Sequence, residues 1–367
     1  MCHYPLFGMI KIVWSSERIP KEGAMITISL CMIVKNEATV LARCLDSVVD
    51  LVDEIIIVDT GSTDKTKEIA ARYTDKLYDF EWVDDFSKAR NFAFSKATQE
   101  YIYSADADEV LDKENRERFR VLKESLLPEI EIVQMKYGNQ LSYGTVYNFN
   151  EEYRPKLFKR LRNFIWEEAI HETIRVYPII FDSDIVITHM PTANHGDRDL
   201  RNFEKQIHSG KKLSKRLQNM YARELLMVGS MDNVLNAVGY FKQVSMETEA
   251  DSEMLMEAYC ILTRAARLQK DSVQFMKFAM KAVASEGCSE ICMELGLFYE
   301  QLGDWEEAII WFYNAAYGTT PVLVKRSGDK DAIEGLVRCY QTLGVKEQEA
   351  YYRNELIRLI AENSSEF

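Results

Sequence analysis

Three carboxylates arrive within four positions in the stretch YIYSADADEV (residues 101–110): Asp106, Asp108 and Glu109. Tyr101, Ile102 and Tyr103 just before them read as the end of a buried strand. Acids at a buried strand tip repel one another and lose hydration, so something positive must meet them. Alternating Asp106 and Asp108 admit three readings. They can be solvated acids, with Asp108 capping a helix in EVLDKENRERF. They can form a hard-cation site, because alternate carboxylates bind Mg2+ or Mn2+ and leave room for phosphate oxygens. They can also be a catalytic acid pair. The buried strand in front, and further acids at neighbouring strand ends, favour the cation.

The periodicity places those strand ends. ITISLCMIV (26–34) reads as a buried strand, and KNEATVLARCLDSVVDLV follows as a helix with Val40, Leu41, Cys44, Leu45 and Val48 at spacings of three and four. EIIIVDT (54–60) holds the unbroken apolar run Ile55–Val58, as a parallel strand covered on both faces requires. Gly61 turns the chain, and Ser62, Thr63 or Asp64 can cap the next helix. KLYDFEW, FSKARNFAFSKA and YIYSA then continue as strand, helix and strand. This alternation predicts an α/β sheet with right-handed crossovers, whose ligands gather beyond the strands' carboxyl ends. Asp59, Asp84–Asp85 and Asp106–Asp108 all fall at such ends. Residues 130–190 add EIEIVQMKY, YRPKLFKRL and DSDIVITHM as strands of a mixed or antiparallel extension.

After about residue 196 the pattern is helix upon helix. SEICMELGLFYEQLGDWEEAIIWFYNAA (289–316) matches the tetratricopeptide repeat, with small residues where two helices touch and large apolar ones between them. Residues 333–344 and 258–282 are weaker copies, and about three repeats make a stable stack. A chain of 367 residues should form about two domains. The expected division is an extension over 1–24, an α/β domain over 25–196 and a helical domain over 197–367.

A net charge of −13 argues against non-specific binding to nucleic acid or anionic membranes. The basic run from Lys211 and Lys212 through Lys215 and Arg216 reads as a solvated helix face. No apolar run reaches the roughly 18–20 residues of a membrane span. The seven cysteines are odd in number, scattered and without a CxxC pair, which points to reduced thiols and a cytoplasmic location. Cys288 and Cys292, four apart in an apolar helical pattern, are expected to be core. Residues 1–24 lack the features of a signal peptide. Lys21-Glu22-Gly23 can be encoded by a purine-rich, ribosome-binding-like stretch just before the codon of Met25, so the extension is expected to be mis-assigned or disordered.

Taken together, ISLCMIVKNE, LARCLDSV, VDEIIIVDTGSTDKTKEIA, DFSKARNFAFSKA and YIYSADADEV resemble the N-terminal half of family 2 glycosyltransferases of the GT-A fold. The resemblance runs from Ile26 to His189 and is densest over 26–110. Bacterial members similar to this chain often carry a tetratricopeptide tail, and the peptide S-glycosyltransferases of bacteriocins are among the similar proteins. The resemblance implies that Val34, Asn36 and Glu37 hold the base and ribose of a nucleotide sugar, and that Asp59 accepts a base N–H. Without the resemblance, Asp59 reads as capping the following turn. Arg90, with Asn91 beside it, is implied to meet the diphosphate or a base carbonyl; the alternative is a salt bridge to Asp84 or Asp85. Asp106 would contact ribose or metal, Asp108 would be the main metal ligand, and His189 a third. The Mn2+ or Mg2+ so held would stabilise the charge of the departing diphosphate.

Inverting transfer also needs a base. In an extended WEEAIHETI (166–174), Glu168, Ile170 and Glu172 share one face, while Ala169, His171 and Thr173 share the other. The resemblance makes Glu172 the base and gives His171 an orienting or substrate-contacting role, with Glu168 as the alternative base. Trp166 and the tyrosines of 136–165 can stack on a sugar or pack in the sheet. The expected partners are a nucleotide-sugar donor, UDP-linked in most such folds, and a peptide, protein or saccharide acceptor. The repeats would bind that acceptor or a second copy of the chain as a homodimer. Two other classes compete. A sugar nucleotidyltransferase would want a glycine-rich loop after the first strand, where this chain has VKNEATV. A non-catalytic scaffold would not bind nucleotide sugars with metal.

Overall fold

The computed structural model describes residues 25–138, 152–168, 173–174, 178–190, 196–247 and 250–365. Strand β1 (Ile28–Val34), helix α1 (Leu41–Val48), β2 (Glu54–Asp59), α2 (Thr66–Ala70), β3 (Leu77–Asp79), α3 (Phe86–Lys96) and β4 (Tyr101–Ser104) follow the expected alternation. The third strand is shorter than its apolar pattern suggests, because it is the half-exposed edge of the sheet and pairs on one side only. Next come β5 (Glu109–Val110), α4 (Lys113–Ser125), β6 (Ile132–Gly138), β7 (Glu152–Lys159), β8 (Trp166–Glu167), β9 (Thr173–Ile174) and β10 (Ile180–His189).

Eight of these strands form one sheet in the order β3-β2-β1-β4-β7-β6-β10-β5. β3, β2, β1 and β4 are parallel, so Val34, Asp59 and Ser104 end on one edge. β7 runs antiparallel between β4 and β6. Strand alternation sorts the core into two layers. Leu30, Met32, Ile55, Ile57, Tyr101 and Tyr103 pack with Leu41, Leu45 and Phe119 on the α1/α4 side. Cys31, Ile56, Val58 and Ile102 pack with Ala93, Phe158 and Trp166 on the α3 side. Each fully buried Ile or Leu contributes on the order of 1.5–3 kcal/mol, enough to hold the strand register that positions the edge.

Two departures shape the site. Residues Glu109 and Val110, which open a helix in the solvated-acid reading, pair antiparallel with His189 and Thr188. Asp112 rather than Asp108 caps α4, accepting from the Asn115 N–H at 2.8 Å. In β7 the pairing jumps from Leu157–Val133 to Pro155–Gln134, leaving Lys156 as the extra residue of a bulge. Pro155 has no N–H to give a ladder, and a bulge re-aims the side chain beside it.

The rest of the described chain is helical: α5 (Gly196–His208), α6 (Lys215–Met227), α7 (Met231–Val244), α8 (Ser252–Leu268), α9 (Ser272–Val283), α10 (Ser289–Leu302), α11 (Trp305–Tyr313), α12 (Lys330–Leu343) and α13 (Lys346–Ser365). α8 packs on α9, α10 on α11 and α12 on α13, while α10 also touches α8 and α12. This is the paired stacking that the repeat pattern predicts. Its small residues have a clear purpose: a Cβ at Gly296 would stand 2.6 Å from the Phe312 ring, and one at Gly335 2.7 Å. Gly303 ends α10 at φ +78°, a left-handed cap open to glycine without strain, and Asp304 caps α11 directly after it. The basic run is more engaged than a solvated face. Lys212 meets Glu247, Lys215 meets Asp251 and Glu253, and Arg216 meets Glu168. Among the described residues no helix is long and apolar enough to cross a membrane.

Candidate active site

The loop after β1 is tied to the loop after β2. Asn36 adopts φ +58°, a conformation asparagine tolerates, and its N–H donates to Ser62 Oγ at 2.9 Å. Its Oδ1 accepts from the Thr63 N–H at 2.7 Å. The Glu37 N–H reaches Thr66 Oγ1, and Asp64 joins the Ala38 N–H to the first N–H of α2. The GSTDKT stretch therefore builds a rigid double loop at the sheet edge, and the Asn36 carboxamide oxygen is engaged in it. Asp59 divides its roles between its two oxygens. Oδ1 caps the turn, accepting from the Gly61 and Ser62 N–H groups at 2.9 Å each. Oδ2 is buried with no hydrogen-bond partner, an arrangement that is costly unless a ligand donates to it.

The acids of YIYSADADEV turn out to be sorted by partner. Arg90, from α3, donates to Ser104 Oγ at 3.1 Å and to Asp106 Oδ1 at 2.8 Å. Its guanidinium also lies 5.2 Å from the centre of the Trp166 ring. The expected alternative partners, Asp84 and Asp85, go elsewhere: Asp84 to Lys205, Asp85 to capping α3. Glu109 forms a buried ion pair with Lys156, the bulge residue of β7. Asp108 Oδ2 stands 3.1 Å from His189 Nε2, and the Met190 N–H bonds the Asp108 carbonyl at 2.9 Å. The end of β10 is thus clipped to the acidic turn, which brings His189 to Asp108 across 81 residues of sequence. Asp106, expected to contact ribose or metal, gives its Oδ1 to Arg90.

The electrostatics follow this sorting. Burial alone would raise the Asp106 carboxyl, but Arg90, then Lys156 and Arg154, hold it well below the usual carboxylate range. Burial pushes Glu109 up, and Lys156 only partly offsets it. Glu37 is raised by burial and then by Asp108, with Arg198 pulling the other way. Two of the three acids are therefore answered by the protein's own cations, and the third by an imidazole.

Asn91 clamps the backbone of Trp166 from both sides, donating to its carbonyl at 2.9 Å and accepting from its N–H at 2.8 Å. The Trp166 ring is buried against Phe94 and Phe158, so it packs the sheet. The expected base Glu172 and its neighbour His171 lie outside the described residues. Glu168, the alternative base, sits at φ +70° and is held by the start of α6: Ser214 Oγ donates to it at 2.5 Å and Arg216 at 2.7 Å. Ser214 is also the N-cap of that helix. α5 reaches the edge as well. Lys205 bonds Asp84 Oδ1 at 2.7 Å, Gln206 donates to the Asp84 carbonyl, and Arg198 lies 5.6 Å from the centre of the Phe86 ring. Lys156, Arg198, Ser214 and Arg216 were not singled out as site residues from sequence. Nothing local marks them, since each is one cation or hydroxyl in an ordinary amphipathic pattern.

One further group of donor atoms, Cys260, Cys288 and Glu290, gathers in the helical core. Glu290 already accepts from the N–H groups of Val322, Leu323 and Val324. The Cys260 thiol is pushed up by its contact with Cys288 and by burial, and burial raises Cys292 to about 11. Core packing describes these cysteines better than metal ligation.

Residues 29–185, most of the α/β half, match the family model for glycosyl transferase family 2. A TPR repeat-containing protein of Synechococcus elongatus is 54% identical over 89 residues, which make up 24% of this chain and 22% of that protein. The SPbeta prophage-derived glycosyltransferase SunS of Bacillus subtilis is 44% identical over 92 residues, again 24% of this chain and 22% of that protein. The chain thus matches less than a quarter of the length of these two relatives. Among solved structures, the glucosyl-3-phosphoglycerate synthase of Mycobacterium tuberculosis with Mn2+ and UDP-glucose aligns with a TM-score of 0.38 and 15% identity, over 52% of this chain and 82% of that one.

Proposed function

We propose that the chain is an inverting glycosyltransferase that moves a sugar from a nucleotide-sugar donor, UDP-linked by preference, to a peptide, protein or saccharide acceptor. The observation that supports it best is the meeting of Asp108, within the family 2 match, with His189, four residues beyond the end of that match, at the carboxyl edge of the parallel strands. The buried Oδ2 of Asp59 would accept an N–H of the base, and Asp106, fixed by Arg90, would face the ribose. A carboxylate oxygen and an imidazole nitrogen suit Mn2+, and also Mg2+, when donor oxygens and water complete the shell. Asp108 and His189 would hold that ion, whose chemistry is to neutralise the charge of the departing diphosphate.

Glu172 would take the acceptor's proton as the acceptor bonds to the anomeric carbon and the bond to the diphosphate breaks. His171 would orient that exchange. Glu168, engaged by Ser214 and Arg216, is better suited to fixing the strand than to receiving a proton. The helical repeats, joined to this strand through α6, would present the acceptor or a second copy of the chain. A boundary near residue 196 and a cytoplasmic location belong to the same proposal.

The test is a titration with UDP- and GDP-sugars, with and without Mn2+, on the natural sequence and on Asp108→Ala. One nucleotide sugar is expected to bind only with metal, stabilising the protein by about 2.7 kcal/mol at 100 times its Kd, and the variant should lose this. Absence of binding under every condition would refute the transferase reading and leave the repeats as the functional part.

A further inference from the structure

We propose that Arg198, near the start of α5, is the protein cation that receives the donor's diphosphate; this rests on the nucleotide-sugar reading above. The residue that the motif offers for that task is Arg90. It is only 12% exposed, donates to both Ser104 and Asp106, and lies against the Trp166 ring. Swinging it onto a ligand would take from Asp106, which sits beside Asp108 and Glu109, its nearest counter-charge and would break the packing of the guanidinium on Trp166. The cation must come from another element.

The edge already gathers Glu37, Asp59, Asp106 and Asp108, so an incoming diphosphate needs positive charge beyond one metal ion. Lys156 is sealed under Glu109, and Arg154 is bonded to Glu152. Lys205 is bonded to Asp84, whose carboxyl is also held low by nearby Lys35. Arg198 differs from all of these. It is 48% exposed, and its ion pair is with its own chain neighbour Asp199, at 3.2 Å. Its guanidinium lies 5.6 Å from the Phe86 ring, at the mouth of the loop that carries Asp84 and Asp85. Burial and then Asp108 raise the Glu37 carboxyl while Arg198 lowers it, so the guanidinium stands within electrostatic reach of the acidic edge. α5 is fastened there by Lys205 and Gln206 on the Asp84 residue, which limits how far Arg198 can drift. A guanidinium fork matches two phosphate oxygens, and a half-exposed side chain on an anchored helix can close on them without breaking a buried contact.

Affinities for UDP, GDP, uridine and guanosine, measured by calorimetry with Mn2+ on the full chain and on Arg198→Gln and Arg198→Lys, test this. Arg198→Gln is expected to weaken the diphosphate that binds by about 10- to 100-fold while leaving its nucleoside unchanged, and Arg198→Lys should restore part of the loss. A loss under threefold for the diphosphate overturns the proposal. So does an equal loss for nucleoside and diphosphate, which would make Arg198 a support for Glu37. If the natural sequence binds none of the four, the donor reading itself fails and takes this inference with it, a result distinguishable because it appears before any variant is made.

Discussion

Replacing Lys156 by methionine isolates the charge beneath the acidic turn. Lys156 and Glu109 are 8% and 2% exposed, and their ion pair lies under the β5–β10 contact that sets Asp108 against His189. Methionine keeps the length and apolar stem of lysine but leaves Glu109 buried without its counter-charge, beside Asp106 and Asp108. Breaking a buried pair from one side costs about 3–5 kcal/mol. The double variant Lys156→Met with Glu109→Gln removes both charges, so it should recover most of that loss. The pH dependence has a definite sign. Burial already raises the Glu109 carboxyl in the folded protein, and losing Lys156 raises it further. An acid whose folded pKa lies above its unfolded value near 4.5 holds its proton more tightly when folded. Stability of the single variant should therefore fall as pH rises from about 4.5 toward neutrality, and its deficit should be smallest in acid. Urea unfolding of the natural sequence, both single variants and the double, at pH 4.5 and pH 7.5, measures all of this as a cycle. A Lys156→Met loss under about 1 kcal/mol at pH 7.5, or a double variant no more stable than the single, would refute the reasoning.

Two further predictions probe the rest of the molecule. Glu168→Gln is expected to keep kcat within about tenfold while Glu172→Gln loses about 100- to 10,000-fold, measured with one donor and acceptor; the reverse order would make Glu168 the base. Gly296→Ala combined with Gly335→Ala brings two Cβ atoms against the one Phe312 ring, at 2.6 Å and 2.7 Å, so the ring must shift to admit both. After the helix-propensity gain of about 1 kcal/mol per site, a net loss of about 2 kcal/mol is expected in calorimetry, and an unchanged or stabilised double variant would contradict the close helix contact.

Much of this protein is legible in its sequence because the signals are local. Unbroken apolar runs at 30–34 and 55–58 mark parallel strands covered on both faces, and the ends of the latter strand and of the one at 101–104 place Asp59 and the Asp106–Asp108 pair on one edge. Gly296, Gly303 and Phe312 announce paired helices at fixed offsets, and the structure pairs them. The short strand at Glu109 was not legible. Two residues of extended chain carry no period, and their partner lies at Thr188 and His189.

The sequence alone determined which residues bear charge and which strand ends deliver them. Only the tertiary structure decided who answers each charge: Arg90 for Asp106, His189 for Asp108, Lys156 for Glu109, and Ser214 with Arg216 for Glu168. Periodicity reports the face a side chain occupies relative to its own element. Pairing depends on register between elements far apart in the chain, and one extra residue in a strand changes which side its neighbours face. The bulge at Lys156 is that extra residue, and it aims a lysine at a buried acid that no local pattern connects to it.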